Sequence, residues 1–322
     1  MNKCFRKLAW VGVVGALALV TDAAMAKDIT LGYVAAGMQY PFNVAAAKGF
    51  EAAAKAAGVK TIVLDAKTSV EKQGNAVDDL IAQKVDGIAV LPIDAVVAQS
   101  WVDRAASHNI PFVAVATQIG DPQKHAIKDV YPKLSALVAS DEVHAGYDAA
   151  QIAATLLPKG RTAKIAIVEG APGYPTVWQV TKGFKEGLDK AGIKYEIVAS
   201  QPTDWTPEKG ESVCQNILSA HPDVDLFFNQ ADDMVIGCAR AVRAAGSHAK
   251  LVSRGGSRLG INAIKAGDVD GTVCIQPGKM GQLAFKALYA AVTNPGAPKA
   301  QFVDVDTPQV TKASLSQCVP EW

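Results

Sequence analysis

Ile29-Thr-Leu-Gly-Tyr-Val34 is followed by an alanine-rich stretch, Phe42 to Ala57, which ends at Gly58 and gives way to Thr61-Ile-Val-Leu64. A short apolar run without polar alternation predicts a strand buried on both faces, and the stretch after it has the length and composition of a helix. Strand, helix, strand is the unit of a parallel sheet, because parallel neighbours need a long crossover. The unit recurs outward along the chain. Val70 to Lys84 reads as a helix and Gly87-Ile-Ala-Val-Leu91 as a strand stopped by Pro92. Val97, Trp101 and Ala105 stand at i, i+4 and i+8 of another helix, and Pro111-Phe-Val-Ala-Val115 is the next strand. The second half repeats the plan. Val143, Tyr147 and Ala150 mark a helical face, Lys164-Ile-Ala-Ile-Val168 is a strand, and Phe184 and Leu188 sit on a helix. Strands follow at 195–198, 225–228, 250–253 and 271–275, with helices between them. Two such runs predict an α/β protein of two doubly wound parallel-sheet lobes. An eight-unit barrel is the rival arrangement. The long connection from Gly120 to Leu137, carrying Asp121-Pro122, Lys124, Lys128 and Pro132, disfavours it.

The amino-terminal end reads as an export leader. Lys3, Arg6 and Lys7 precede an apolar run, Leu8 to Val20, and Ala24-Met25-Ala26 supplies small residues where a signal peptidase cuts. Residues 1–26 are therefore expected to be removed, leaving a chain that begins at Lys27 in the periplasm; an uncleaved anchor is the alternative, and the run is short for a membrane span. The whole chain has a net charge of +1. Without the leader it carries 29 basic and 30 acidic residues. A near-neutral chain without a basic patch is not built for nucleic acid. Cys214, Cys238, Cys274 and Cys318 remain after export, and an even number in an oxidising compartment permits two disulfides. Cys214 and Cys238 fall in successive helices, the easiest pair to join; buried free thiols are the other possibility. No CxxC or Cys/His cluster with zinc spacing is present, so neither a metal nor a cofactor is expected.

In open α/β sheets, ligands bind beyond the carboxyl ends of the strands. The loops there are rich in groups that hold small polar molecules. Tyr40, Pro41, Phe42 and Asn43 open the first helix. Thr117 and Gln118 follow Val115, and Ser140 with Asp141 follows Ala139. Gly170-Ala-Pro-Gly-Tyr-Pro175 leads to Trp178, and Gln201-Pro-Thr-Asp-Trp205 follows the next strand. Asn229-Gln-Ala-Asp-Asp233, Arg254 and Gln276 complete the set. Aromatic faces suit the C–H faces of sugar rings, while amides and charges supply directional hydrogen bonds. The plainer account of Tyr40, Phe42 and Asn43 is a helix start with a core ring.

On these loops the chain resembles the ribose-binding-like family of type I periplasmic sugar-binding proteins of ABC importers. The likeness rests on Tyr40-Pro41-Phe42 with Ala47-Lys48-Gly49, Val115 to Gln118, Ala139-Ser140-Asp141, Gly183-Phe184, Ala199-Ser-Gln-Pro-Thr-Asp-Trp205, Ala220-His-Pro-Asp223 and Asn229-Gln-Ala-Asp-Asp-Met234. It implies lobes of residues 27–140 plus 276–305 and 141–275 plus 306–322, joined by a three-stranded hinge near Ser140, Gln276 and 304–308. Taken with the strand-end loops, it gives a candidate ligand-binding set of Tyr40, Phe42, Asn43, Thr117, Gln118, Ser140, Trp178, Trp205, Asp232, Arg254 and Gln276. Where pentose-binding members place an Asp-Arg pair, this chain has Ala116-Thr117; Val180 stands in for a second arginine, Ala231 for an asparagine, and Arg254-Gly255 for a Phe-Asp. Arg254 then either meets an anionic group on the ligand or pairs with Asp232 or Asp233.

The expected function is capture of a small sugar or polyol by hinge closure, as a monomer, and its delivery to a membrane permease. A non-sugar ligand, anionic or aromatic, is the alternative, and a chemoreceptor could use the same closed form. Catalysis is not expected: the chain has no G-x-S-x-G, Walker or G-x-G-x-x-G motif, and none of its five histidines is paired with a nucleophile. A repressor built on the same core would need a helix-turn-helix where the leader stands.

Overall fold

The computed structural model describes Met1, residues 28–294 and residues 296–322. The leader at 1–26 lies, Met1 apart, outside the described residues. Among the described residues, twelve strands form two sheets of six. The first contains β1 (Thr30–Ala35), β2 (Lys60–Asp65), β3 (Gly87–Val90), β4 (Phe112–Val115), β5 (Ala136–Ala139) and β11 (Gln301–Asp304), in the spatial order β11-β5-β4-β3-β1-β2. Every pairing in it is parallel. The second contains β6 (Ala163–Glu169), β7 (Tyr195–Pro202), β8 (Leu226–Asn229), β9 (Lys250–Gly255), β10 (Gly271–Cys274) and β12 (Gln309–Thr311), in the order β12-β10-β9-β8-β6-β7. Here β12 runs antiparallel to β10, so the second sheet is not wholly parallel. In each sheet the order reverses beside the first strand of its lobe, the arrangement of a doubly wound fold.

The central strands are buried along their length, as their uninterrupted apolar runs require. Helices cover both faces: α1 (Pro41–Ala56), α2 (Val70–Ala82), α3 (Ala98–Ser107) and α9 (Pro277–Thr293) on the first lobe. On the second lie α4 (Glu142–Leu156), α5 (Pro175–Lys190), α6 (Pro207–Ala220), α7 (Asp232–Ala244) and α8 (Arg258–Ala266). α1 packs on α9, α4 on α5 and α6 on α7. At the α4–α5 crossing Gly146 faces the Val180 carbonyl and Gly183 faces the Val143 carbonyl, each so close that a Cβ would stand about 2 Å from the oxygen. The helix axes meet at backbone distance there because no side chain intervenes.

The chain passes from the first sheet to the second between β5 and α4, returns between β10 and α9, and crosses again between β11 and β12. Gln276, at the second crossing, donates from Nε2 to the Asp306 carbonyl at the third (3.1 Å), and Lys279 pairs with Asp306 at 2.6 Å. Among the described residues, two disulfides form, Cys214–Cys238 between α6 and α7 and Cys274–Cys318 at the end of β10.

Several strands depart from the sequence expectation. β5 lies inside the stretch from Gly120 to Leu137 and just beyond, where four apolar residues among polar neighbours give too short a signal. β7 extends to Pro202 rather than ending at 198, because an edge strand tolerates the polar Ser200 and Gln201. β11 and β12 are too short for any periodicity to show.

Candidate functional site

A cavity of about 440 Å³ lies between the lobes. Its wall is built from the loops and helix starts beyond the carboxyl ends of β1, β3 and β4 in the first lobe and of β6, β7, β8, β9 and β10 in the second. The first lobe contributes Tyr40, Phe42, Asn43, Leu91, Ala116 and Thr117. The second contributes Tyr174, Thr176, Trp205, Asp233 and Arg254, with Glu142 at the start of α4 and Trp322 from beyond β12. Rings therefore face the space from both lobes. Phe42 meets Trp322 edge-on with centroids 5.7 Å apart, and Tyr174 meets Trp205 edge-on at 5.9 Å.

Two residues of this wall have strained backbone. Ala116 (φ 61°) and Trp205 (φ 68°) both adopt the left-handed conformation, uncommon for residues with a Cβ. The Trp205 turn is held by buried Thr203, whose Oγ1 accepts from the Trp205 N–H (3.2 Å) and donates to the Glu169 carbonyl (2.7 Å). The Trp205 ring then lies directly over Gly170, where a Cβ would stand 1.7 Å from the ring. Pro41 and Pro175 at the first positions of α1 and α5 fix where those helices begin, and with them Tyr40, Phe42, Tyr174 and Thr176. Asn43 ties the start of α1 to its loop by donating to the Gly37 carbonyl (2.8 Å).

The charged part of the wall is a buried ion pair between Arg254 and Glu142. Burial pushes the Glu142 carboxyl above its ordinary range, while the Arg254 guanidinium and the Thr176 hydroxyl act in the opposite sense. Glu142 Oε2 and Arg254 Nε are buried with no hydrogen-bond partner among the described residues. Asp233, in the first turn of α7, is pushed up to about 6 by burial and then by the neighbouring charge of Asp232. Burial also drives the Tyr174 phenol up to about 12.

Of the residues expected to form the site, the structure brings Tyr40, Phe42, Asn43, Thr117, Trp205 and Arg254 to this cavity. The others are placed elsewhere. Gln118 is buried and accepts from Gln179 Nε2 across the lobes while donating to the His125 carbonyl. Ser140 is buried without a partner for its Oγ. Asp232 is an anchor inside the second lobe: it accepts from Ser253 (2.6 Å), Thr272 (2.8 Å) and the Ser257 N–H (2.8 Å). Gln276 serves the hinge crossings, and Trp178 is 41% exposed on α5, with Lys182 Nζ 5.5 Å above its ring. Arg254 pairs with neither Asp232 nor Asp233. Those acids share a turn whose buried member is already held by two hydroxyls and a backbone N–H, and the start of α4 presents Glu142 instead.

Sequence reasoning left Glu142, Tyr174, Asp233 and Trp322 out of the expected set, although the loops it quoted contain Tyr174 and Asp233. Three of them adjoin residues it singled out: Glu142 is two positions past Ser140, Tyr174 lies in the loop before Trp178, and Asp233 is next to Asp232. Consecutive residues on a helix point about 100° apart, which separates Asp233 in the wall from Asp232 in the core. Trp322 has no such signal, since only the tertiary fold brings it to Phe42.

A second depression, of about 770 Å³, lies at the amino-terminal ends of β6, β8 and β9. It belongs to one lobe, and its charges are already paired: Arg161 with Asp225, and Lys250 with Asp270. No helix among the described residues is long and apolar enough to cross a membrane.

Residues 31–296 match the model of the periplasmic binding protein domain family. The ribose import binding protein of Bacillus subtilis is 32% identical over 261 residues, 81% of this chain and 81% of that protein. The xylitol-binding protein of Mycolicibacterium smegmatis is 29% identical over 84% of this chain and 74% of its own. A Mycobacterium smegmatis protein crystallised in complex with β-D-fucofuranose superposes with a TM-score of 0.79 at 25% identity, over 90% of this chain and 93% of that one. With its two doubly wound lobes, its three crossings and its interlobe cavity, the chain belongs to the periplasmic binding protein domain family, in its ribose-binding-like type I branch.

Proposed function

We propose that the chain is the solute-binding component of an ABC importer, working outside the cytoplasmic membrane, and that its ligand is a neutral sugar or polyol held between the lobes. The supporting observation is the cavity itself, where Tyr40 and Phe42 on one lobe and Tyr174 and Trp205 on the other frame a space of about 440 Å³. Rings on opposite walls fit the two faces of a small cyclic or extended polyol, and edge polar groups fit its hydroxyls. Arg254 does not favour an anion, since its charge is already met by buried Glu142. The orphaned Glu142 Oε2 and Arg254 Nε are an acceptor and a donor, the pair that neighbouring hydroxyls satisfy. The ligands in the relatives' names, ribose and xylitol, are of this class.

A ligand that touches both lobes binds the closed form better and shifts the population toward it, and the closed surface is what a permease would recognise. Isothermal titration with D-ribose, D-allose, xylitol, myo-inositol and D-gluconate tests the reading. Binding of a neutral compound supports it. Binding of gluconate alone would mean that the ion pair opens for an anionic ligand, and the neutral reading would be abandoned.

A further inference from the structure

Cys318-Val-Pro-Glu-Trp322 belongs to neither sheet, yet it reaches the cavity and is fixed at four points. Cys318 is bonded to Cys274 at the end of β10. Glu321 accepts from the backbone N–H groups of Gly278 (2.7 Å) and Lys279 (3.4 Å) in the first turn of α9. The Trp322 carbonyl accepts from the Arg258 N–H (2.8 Å) at the start of α8. The Trp322 ring lies edge-on to Phe42. β10 and α8 belong to the second lobe, whereas α9 and Phe42 belong to the first. The segment is a strap across the two lobes beside the hinge. Its seat is close-fitting: Gly256, at φ 77°, would bring a Cβ within 2.7 Å of both sulfurs of the Cys274–Cys318 bond.

Against these satisfied contacts one group stands out. The Trp322 ring lines the cavity, but its indole Nε1 is buried with no hydrogen-bond partner among the described residues. An indole N–H can only donate, and leaving a buried donor unpaired is unfavourable. Among the described residues no acceptor meets this N–H, and the residue that carries it borders the cavity.

We infer that residues 318–322 form a strap, pinned by the Cys274–Cys318 bond, that supplies Trp322 as a ligand-contacting and specificity-determining residue, its indole N–H donating to a hydroxyl oxygen of the solute. The inference rests on the sugar or polyol reading of the cavity. It adds a dependence absent from that reading: a disulfide outside the cavity wall sets the affinity, because it holds the tryptophan in place. Trp322→Phe keeps the ring and removes the donor. Loss of the bridge frees the whole strap.

The test titrates the full chain with D-ribose, D-allose, xylitol and myo-inositol, and compares wild type with Trp322→Phe, a chain ending at Pro320, Cys274→Ser/Cys318→Ser, and the triple variant. Trp322→Phe is expected to melt like wild type without ligand and to bind the best probe roughly tenfold more weakly, the scale of one lost hydrogen bond. The bridge-free and shortened chains should lose at least as much, and Trp322→Phe should add nothing in the bridge-free background, since both changes act on one contact. Wild-type affinity in Trp322→Phe and in the shortened chain would overturn the inference and leave the cavity reading intact. If the bridge-free chain does not fold, those two variants still decide. Absence of binding by wild type to all four probes would overturn the cavity reading and this inference with it.

Discussion

Trp205 is held from three directions: by its left-handed backbone, by Thr203 beneath its N–H, and by Gly170 under its ring. Such over-determination keeps a strained residue in one place, which suits the proposed role of Trp205 as a wall against a ligand face. Trp205→Ala is expected to weaken binding of the cavity's ligand by about 1–3 kcal/mol, read by isothermal titration. Gly170→Ala should do as much without touching a ligand, because the new methyl occupies the ring's position; unchanged affinity in both would take Trp205 out of the site. The buried pair makes a different prediction. Arg254→Met leaves Glu142 buried without its cation, which costs about 3–5 kcal/mol when a charge is stranded. Glu142→Gln added to it should recover much of that loss, and urea unfolding of the single and double variants measures the difference. Asp233 predicts a pH dependence. Its carboxyl titrates near 6 in the fold and near 3.8 when exposed, so the stability associated with its protonated form is present below about 4 and is lost as pH rises through 6. Asp233→Asn should therefore raise the melting temperature at pH 7.5 and leave it nearly unchanged at pH 4. The sequence pointed to the aromatic part of this wall because rings at strand ends are conspicuous. It also pointed to the polar Asn43, Thr117 and Arg254, but left out Asp233 and Glu142, because the choice between Asp232 and Asp233, or between Ser140 and Glu142, depends on the rotation of a helix start.

Among the elements, the strand–helix alternation was legible wherever a strand is central, since burial on both faces leaves an unbroken apolar run, as in β3, β4 and β8. It failed at the sheet edges. β11 pairs only with β5, and β12 only with β10, and neither needs an apolar run to do so. The α6–α7 pair shows what composition can and cannot say. Two cysteines on successive helices suggested a bond, and the structure forms it, but the spacing says nothing of how the helices meet. They meet at Gly210 against Met234 and Gly237 against the Pro207 carbonyl, contacts that admit no side chain. The Cys214–Cys238 bond staples this interface and closes a loop with a sequence separation of 24. Removing it as Cys214→Ala/Cys238→Ala should lower stability by about 3.5 kcal/mol, the chain-entropy estimate for such a loop. Ligand affinity should not change, because α6 and α7 stay packed through the glycine contacts. A calorimetric melt beside a titration checks both halves, and loss of affinity with the bond would mean that the staple also positions Trp205 and Asp233 at the two helix starts.

For the whole molecule, the proposed function makes the balance between open and closed lobes the quantity that matters. Gln118 was expected to touch the ligand; instead it receives a hydrogen bond from Gln179 on the other lobe. The contact joins the lobes outside the cavity wall, so under the proposed function its place is in closure and not in ligand contact. Gln276 and Lys279, which tie the second crossing to Asp306 at the third, lie at the pivot and are less able to bias the balance. If the lobes close over the solute as proposed, Gln179→Ala removes a bond made only when they meet. The apparent dissociation constant scales inversely with the fraction of competent closed protein, so one lost hydrogen bond should weaken binding about two- to tenfold. The radius of gyration of the ligand-free protein in solution scattering should rise, and saturating ligand should return both proteins to the same compact value. A Gln179→Ala protein with wild-type radius and wild-type affinity would show that the contact contributes nothing to closure, and that the ligand's own reach from Tyr40 and Phe42 to Trp205 carries the whole free energy of bringing the lobes together.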